Sequence, residues 1–335
     1  MSTDTAGSGK LHLHLENLRA KPEVFHLTPE RYAAAARKHP QLAERLTVTV
    51  GWDADILDQA LKTADIMIGS KFPTANLASR APRLKWLQTT GAGIEQLLPL
   101  DWLPQRVALV NNRGVHGAKA GEYAAMAVIM LNNRMPEIIA SQREQKWQPI
   151  FTPPVAGRTA LVIGLGDLGG AAARACNGLG LRVIGVSRSG RMVEGVHEAH
   201  RVDRLDELLP RADFVIVATP LTPQTRGLLD ARRIDLMRHG AGFINIGRAA
   251  IADYAALQRR LESGELCGAL VDVFEPEPLP AGSPLWKTRN LIATPHVSCD
   301  DPNYIALTFD AFFANLERFL AGKELHNRVD TAAGY

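Results

Sequence analysis

Three stretches of this chain place charged or titratable side chains just past short apolar runs. Arg248 lies in Asn245-Ile246-Gly247-Arg248-Ala249-Ala250, after the run 242–246. Glu275 and Glu277 follow the run 266–273, in VDVFEPEPLP, and His296 follows 291–294, in Thr294-Pro295-His296. Continuous apolar runs of this length are what buried parallel strands look like. The C-terminal ends of such strands are where open α/β sheets bind ligands. The residue types suit reduction of a 2-keto acid. That reaction needs a cation to hold a carboxylate and polarise a ketone, a proton donor titrating near neutrality, and a carboxylate to orient and charge the donor. Arg248, His296 and one of the two glutamates meet those needs.

The reaction also needs a hydride carrier, and residues 160–189 have the pattern of its cradle. The apolar run Ala160 to Ile163 feeds into Gly164-Leu165-Gly166-Asp167-Leu168-Gly169, then an Ala-rich helix and a second β-branched run ending at Val186. Strand, glycine turn, helix, strand is the context a dinucleotide fingerprint requires. Gly164 permits the tight turn, Gly166 lets backbone N–H groups approach a pyrophosphate, and Gly169 lets the helix pack close to the strand. The pyrophosphate then sits on the positive end of the helix dipole. In this fold an acidic residue at the end of the second strand holds an NAD ribose. Here that strand ends in Ser187-Arg188-Ser189, with no acid in place. An arginine between two hydroxyls attracts a 2′-phosphate, so NADP(H) is favoured, with Arg191 as a further contact and NAD(H) as the alternative.

Further elements must position these groups. Strand-like runs at 10–16, 46–50, 66–69, 84–88 and 107–110 alternate with helical patterns at 28–40 and 55–62, which reads as a small parallel α/β domain. Its loop Gly91-Ala92-Gly93 can present successive N–H groups to a carboxylate, and Lys71 adds a positive charge. Trp52, Lys71, Phe72 and Trp286 are candidates for a specificity pocket. His12 and His14 share one face of the first strand, but no third ligand is nearby and no metal site is expected. Gly117 to Gln148 reads as one long helix, kinked or interrupted at Pro136. Its middle, Ala124 to Leu131, is apolar nearly all round, so it should be buried between domains or against a second subunit. Six strands, at 160–163, 183–186, 212–218, 242–246, 266–273 and 291–294, make up the nucleotide domain. Ile305 to Leu320 is an amphipathic helix with Phe309, Phe312, Phe313, Leu316 and Phe319 as its apolar residues.

Whole-chain properties narrow the function classes. At 335 residues the chain suits two domains. A net charge of +3 is too small and dispersed to argue for nucleic acid or an anionic membrane surface. No apolar run approaches the ~18 residues of a membrane span. The polar start MSTDTAGSGK lacks the apolar core of a secretory signal. The three cysteines, Cys176, Cys267 and Cys299, are far apart and in no metal-binding spacing, as expected for reduced thiols in a cytoplasm.

Taken together, GLGDLG, ATPLTPQTRGLL, NIGRAAIADYAAL, GALVDVFEPEPLP and TPH make the chain resemble the D-isomer-specific 2-hydroxyacid dehydrogenases over nearly its whole length. The resemblance implies two doubly wound parallel-sheet α/β domains, a Rossmann cofactor domain and a flavodoxin-like substrate domain, with a cleft between them. The substrate domain would be discontinuous, 1–116 with 298–335, and the cofactor domain would span 117–297. In that family the Arg of the Asn-x-x-Arg motif binds substrate carboxylate and carbonyl, which selects Arg248. The acid/base is the His of the Pro-His motif, His296, and its partner lies five residues after the strand Asp, which selects Glu277 over Glu275. Asp272 matches the residue near the nicotinamide carboxamide. Thr219, Pro220, Thr225, Ile246, Gly247 and Ser298 complete the expected cofactor contacts. Gly91, Ala92 and Gly93, with Lys71, are the expected contacts of a small 2-keto or 2-hydroxy acid. The helix 118–145 is expected to form a homodimer interface.

The chain departs from the family pattern at Ala249, where glycine is usual, and at Glu122-Tyr123, where Glu-His is usual. Beyond His296, Cys299, Asp300 and Asp301 replace the usual small residues, and the two acids argue against a phosphorylated substrate. Two other expectations stay open. One is a related enzyme acting on formate, phosphite or phosphoglycerate. The other is a dinucleotide-sensing transcriptional corepressor of the same fold, which keeps the same Arg, Glu and His.

Overall fold

A computed structural model describes residues 9–331. The chain divides into two compact units, one made of residues up to Val115 together with those from Asp301 on, the other of His116–Asp300.

The first unit holds five parallel strands, β1 (Leu11–Asn17), β2 (Leu46–Trp52), β3 (Ile66–Ile68), β4 (Trp86–Gln88) and β5 (Ala108–Val110), in the order β2-β1-β3-β4-β5. That 2-1-3-4-5 order is the flavodoxin-like one. One face of the sheet is covered by the helix Tyr304–Leu320, which buries Phe309, Phe312, Phe313 and Leu316 against Leu13, Leu15, Ile66 and Trp86. The chain therefore returns from the second unit to complete the core of the first. Thr28 caps the helix Pro29–Ala36 by accepting from the Arg31 N–H, and Pro29 opens it. Phe72, considered above for a specificity pocket, belongs instead to the core: it is buried and packs edge-on against Trp102.

The second unit holds seven parallel strands. These are β6 (Thr159–Ile163), β7 (Arg182–Ser187), β8 (Glu198–Arg201), β9 (Phe214–Val217), β10 (Gly242–Asn245), β11 (Gly268–Val271) and β12 (Leu291–Ala293). Their order is β12-β11-β10-β9-β6-β7-β8, the doubly wound arrangement with its switch point between β6 and β9. The expected six strands become seven because β8, Glu-Ala-His-Arg, adds at the edge beyond β7. It has no apolar run to announce it.

The long connector also differs from its expectation. It forms two helices, Gly117–Asn132 and Met135–Arg143, and residues 144–148 are not helical. The break falls at Arg134, whose φ of 54° is left-handed, and Pro136 sits in the first turn of the second helix, where it costs no hydrogen bond. The first of these helices is buried within its own unit: Ala124, Ala127, Val128 and Leu131 pack in one cluster with Ala172, Ala173 and Ile244. Met126 and Ile129 remain exposed on it.

Candidate active site

The glycine turn after β6 shows three distinct requirements. Gly164 has φ +96°, and a Cβ there would lie 2.7 Å from Thr219 Cγ2 and 2.8 Å from the Ala218 carbonyl. A Cβ at Gly169 would lie 1.7 Å from the Gly164 carbonyl oxygen, so the helix Asp167–Gly178 can approach the turn only with glycine here. A Cβ at Gly166 would meet nothing within 4 Å. That glycine borders open space. The N–H groups of Gly166, Asp167 and Leu168, at the start of this helix, donate to no acceptor among the described residues. Nearby, Thr219 Oγ1 is buried without a hydrogen-bond partner, and the Gly247 backbone comes close enough that a Cβ would sit 2.8 Å from the Thr219 carbonyl. Unsatisfied donors beside an open approach fit a pyrophosphate, as a dinucleotide would supply.

The other expected cofactor residues lie at neighbouring strand ends of the same sheet. Ser187, Arg188 and Ser189 follow β7, with Ser187 Oγ accepting from Gly190 N at 3.1 Å. Pro220 and Thr225 close the loop after β9: Thr225 Oγ1 donates to the Pro220 carbonyl at 2.7 Å and accepts from Thr222 N. Ile246 N extends the sheet by donating to Val217 O. Asp272 follows β11 with its side chain fully buried. Oδ1 accepts from Thr294 Oγ1 at 2.6 Å and Val297 N at 2.9 Å, and Oδ2 accepts from Ser298 N at 2.8 Å. Tyr123 OH lies 2.7 Å from Thr294 Oγ1, and burial pushes its pKa up to about 12. Asp272 thus clamps both sides of the turn that carries His296.

His296 projects from that turn with φ 57°, a left-handed conformation that costs a non-glycine residue about 1 kcal/mol. Its Nδ1 donates to Glu277 Oε2 at 2.8 Å. Glu277 is fixed in turn, since Oε1 accepts from Phe274 N at 2.8 Å. Glu275 is exposed and not the partner of His296. With Nδ1 committed, Nε2 is the nitrogen left for a ligand.

Arg248 stands at the end of β10 on a turn built by Asn245. Asn245 Oδ1 accepts from Gly247 N at 2.9 Å, and its Nδ2 donates to Arg248 O at 3.2 Å and Tyr254 OH at 3.0 Å. Tyr254 OH reaches on to Val273 O at 2.9 Å, tying this turn to the one after β11. Arg248 Nη1 donates to Gly247 O at 2.8 Å.

His116 lies in the field of Arg248, and its Nδ1 donates to Cys299 O at 3.3 Å; burial holds its pKa below the ordinary value. Asp300, in the field of His296 and His116, has its pKa raised, first by burial. Burial and Asp300 push the Cys299 thiol up to about 11, so it stays protonated at neutral pH. Asn245, Tyr254 and Thr294 entered the sequence reading only inside motifs and Tyr123 only as a departure from one, and no anchoring role was expected of any of them.

In the first unit, the Gly91 and Ala92 carbonyls are taken up by neighbouring side chains and backbone. Gly91 O accepts from Asn112 N at 3.0 Å and Thr89 Oγ1 at 2.6 Å, and Ala92 O from Asn111 Nδ2 at 3.0 Å. The N–H groups of all three residues donate to nothing among the described residues. Lys71 is exposed just past β3. His12 and His14 both bond Thr49 Oγ1, at 2.8 and 2.9 Å, and His14 Nε2 bonds Glu16 Oε2 at 2.9 Å.

A glycine cradle for a dinucleotide and a His–Glu pair on the ends of one parallel sheet define a nicotinamide-dependent oxidoreductase. Residues 125–298 match the model of the D-isomer specific 2-hydroxyacid dehydrogenase, NAD binding domain. Glyoxylate/hydroxypyruvate reductase A of Serratia proteamaculans is 30% identical over 280 residues, covering 82% of this chain and 88% of that protein. A D-isomer specific 2-hydroxyacid dehydrogenase from Xanthobacter autotrophicus, solved with NADPH and MES, is 30% identical with TM-score 0.83, covering 98% of this chain and all of that one. The NADPH-dependent glyoxylate/hydroxypyruvate reductase of Sinorhizobium meliloti, solved with NADP and sulfate, is 32% identical with TM-score 0.80, covering 97% of this chain and all of that one. The chain belongs to the D-isomer-specific 2-hydroxyacid dehydrogenase family, NAD(P)-dependent oxidoreductases acting on the CH–OH group of small hydroxy acids. No helix among the described residues is long and apolar enough to cross a membrane.

Proposed function

We propose that this chain is an NADPH-dependent reductase of a small 2-keto acid of the glyoxylate or hydroxypyruvate kind. The observation that carries the reading is the His296 Nδ1–Glu277 Oε2 bond of 2.8 Å. It sits at the C-terminal edge of the same parallel sheet as Arg248 and the glycine cradle. A bound reduced nicotinamide supplies a hydride for the keto carbon. Glu277 orients the His296 ring through Nδ1, so that Nε2 donates a proton to the carbonyl oxygen as it becomes an alkoxide. Arg248 holds the carboxylate and polarises the carbonyl, stabilising charge that grows in the transition state. The outward amides of Gly91, Ala92 and Gly93, with Lys71, are assigned to the substrate carboxylate.

The dinucleotide rests on Gly164, Gly166, Asp167, Leu168 and Gly169. Thr219, Pro220, Thr225, Ile246, Gly247, Asp272 and Ser298 are assigned to its remaining contacts. Ser187, Arg188 and Ser189 favour NADP(H), in line with the NADP(H) bound in the two related structures. The free thiols suit a cytoplasmic enzyme. Exposed Met126 and Ile129 on the first connector helix, with Trp147 and Phe151 beyond it, support a homodimer through residues 118–145.

The test follows oxidation of NADPH and NADH by purified protein with glyoxylate, hydroxypyruvate, pyruvate and phenylpyruvate, beside His296→Ala. Turnover of NADPH with one of these acids, lost in His296→Ala, is expected. No oxidation of either cofactor by any acid would overturn the reductase reading, and a clear preference for NADH would overturn the cofactor assignment alone.

A further inference from the structure

We propose that Arg201, on the strand beside the dinucleotide loop, is a second determinant of binding to a 2′-phosphorylated dinucleotide. The proposal rests on the NADP(H) reading above. β8 runs parallel to β7 with Arg201 opposite Ser187, so Arg201 ends its strand at the level where the loop leaves β7. The loop then folds over it. Ser187 Oγ accepts from Gly190 N at 3.1 Å, Ser189 Oγ accepts from Arg191 N at 3.3 Å, and Gly190 turns the chain with φ +67°. A Cβ at Gly190 would lie 3.0 Å from Arg201 Cγ and 3.3 Å from Arg201 N. The loop is therefore seated on the stem of Arg201, with Gly190 supplying the positive φ and leaving room for the close approach. Both serine oxygens accept from backbone, which leaves their hydroxyl hydrogens for an anion.

Ser189, Gly190, His200, Arg201, Asp203 and Arg204 line a cavity of about 410 Å³ beside this loop. Its other basic groups are engaged: Arg204 pairs with Glu207 at 2.5 Å and His200 with Glu198 at 3.2 Å. Arg201 makes no ion pair among the described residues. A phosphate monoester carries about −1.5 to −2 charge at neutral pH, so one arginine leaves about half of it uncompensated. Arg201 from the strand beneath adds positive charge to that of Arg188 and Arg191 on the loop, in a cavity that the Asp203 carboxylate also lines. The planar fork of Arg201 can give two parallel N–H bonds to phosphate oxygens.

Calorimetric titration of the full-length protein with adenosine 2′,5′-bisphosphate and with 5′-AMP isolates this contact from turnover. Arg201→Met keeps the stem under Gly190 and removes the charge; Arg201→Ala removes both, and Arg188→Ala is the reference. The wild type is expected to bind the bisphosphate more tightly than AMP. Arg201→Met should weaken bisphosphate binding about tenfold, leave AMP binding unchanged and flatten the salt dependence of the bisphosphate. If Arg201→Met binds both ligands as the wild type does while Arg188→Ala loses the preference, the role of Arg201 is refuted and the NADP(H) reading stands. If the wild type shows no preference for the bisphosphate, the NADP(H) reading fails and Arg201 with it.

Discussion

Asp272→Asn is the substitution that most directly tests how the His296 turn is held. The carboxylate is fully buried and receives three donors, two of them backbone N–H groups on either side of the turn's exit. Asparagine keeps the shape but offers one acceptor oxygen and one NH₂. In one orientation the NH₂ faces Ser298 N–H; in the other it faces Val297 N–H and Thr294 Oγ1. Thr294 can rotate to accept, because Tyr123 OH provides an alternative partner at 2.7 Å. The backbone N–H groups cannot. Each orientation therefore leaves one buried N–H against another donor, a penalty of about 1–3 kcal/mol, and loses a charge-assisted bond of about 1.5–3 kcal/mol. The sum is about 2.5–6 kcal/mol, which in a unit of this size lowers the melting temperature by on the order of 10 °C.

Calorimetry of the protein without dinucleotide reads this term free of any contact Asp272 makes with a cofactor. The same variant should lose turnover by at least about tenfold, since the turn that holds His296 at a left-handed φ makes three of its hydrogen bonds to Asp272. An Asp272→Asn protein that melts within about 2 °C of wild type would refute the clamp. A wild-type melting temperature combined with lost cofactor binding would move the role of Asp272 from the turn to the nicotinamide.

Three further outcomes are expected. Gly169→Ala puts a Cβ 1.7 Å from the Gly164 carbonyl and should cost about 3 kcal/mol or more. Gly166→Ala meets nothing and should melt like wild type while binding dinucleotide at least about tenfold more weakly; equal melting temperatures for the two variants would contradict the packing argument. Glu198 accepts from Arg182, Arg211 and His200, and the guanidinium of Arg182, with Arg211, holds its pKa down to about 2. A carboxylate with a depressed folded pKa stabilises above its unfolded value near ~4.3 and loses that contribution as the pH falls toward its folded value. The stability gap between wild type and Glu198→Gln should therefore be about 1–2 kcal/mol at pH 7 and shrink between pH ~4.3 and ~2, as urea midpoints would show; a gap independent of pH would refute it.

What could be read from the sequence was what leaves a periodic or steric trace. The apolar runs located the strand ends, and the spacing of Gly164, Gly166 and Gly169 carried three separable steric demands, each now attached to a distance. β8 left no trace because an edge strand with no fully buried residue, Glu-Ala-His-Arg, needs no apolar run. The break at Arg134 was placed at Pro136 instead because a proline is visible in a sequence and a left-handed arginine is not. Phe72 was misread for a similar reason: an aromatic after a strand is equally suited to a pocket and to packing on Trp102. Glu277 and Glu275 could not be separated by residue type, and only the resemblance chose between them.

The motif spacings themselves have a geometric cause that reaches past this family likeness. Arginine follows Asn245 by three residues because the Asn side chain closes the turn, taking Gly247 N on one side and giving Nδ2 to Arg248 O on the other. Glu277 follows Phe274 by three because a carboxylate at that distance can fold back onto Phe274 N with one oxygen and leave the other for His296. Asp272 reaches across from β11 to grip the turn after β12. In each case the residue assigned to substrate binding or proton transfer is held by a polar group outside those two roles. A strained turn such as that of His296 is stable only while its anchor is satisfied, so losses of activity in this unit should trace to Asn245, Tyr254 and Asp272 as readily as to Arg248, Glu277 and His296. Asn245→Asp sharpens the point, since it keeps the acceptor for Gly247 N but removes the donor to Arg248 O and Tyr254 OH. It should lower turnover with Arg248 itself untouched, and unchanged kinetics in that variant would show that Arg248 needs no such support.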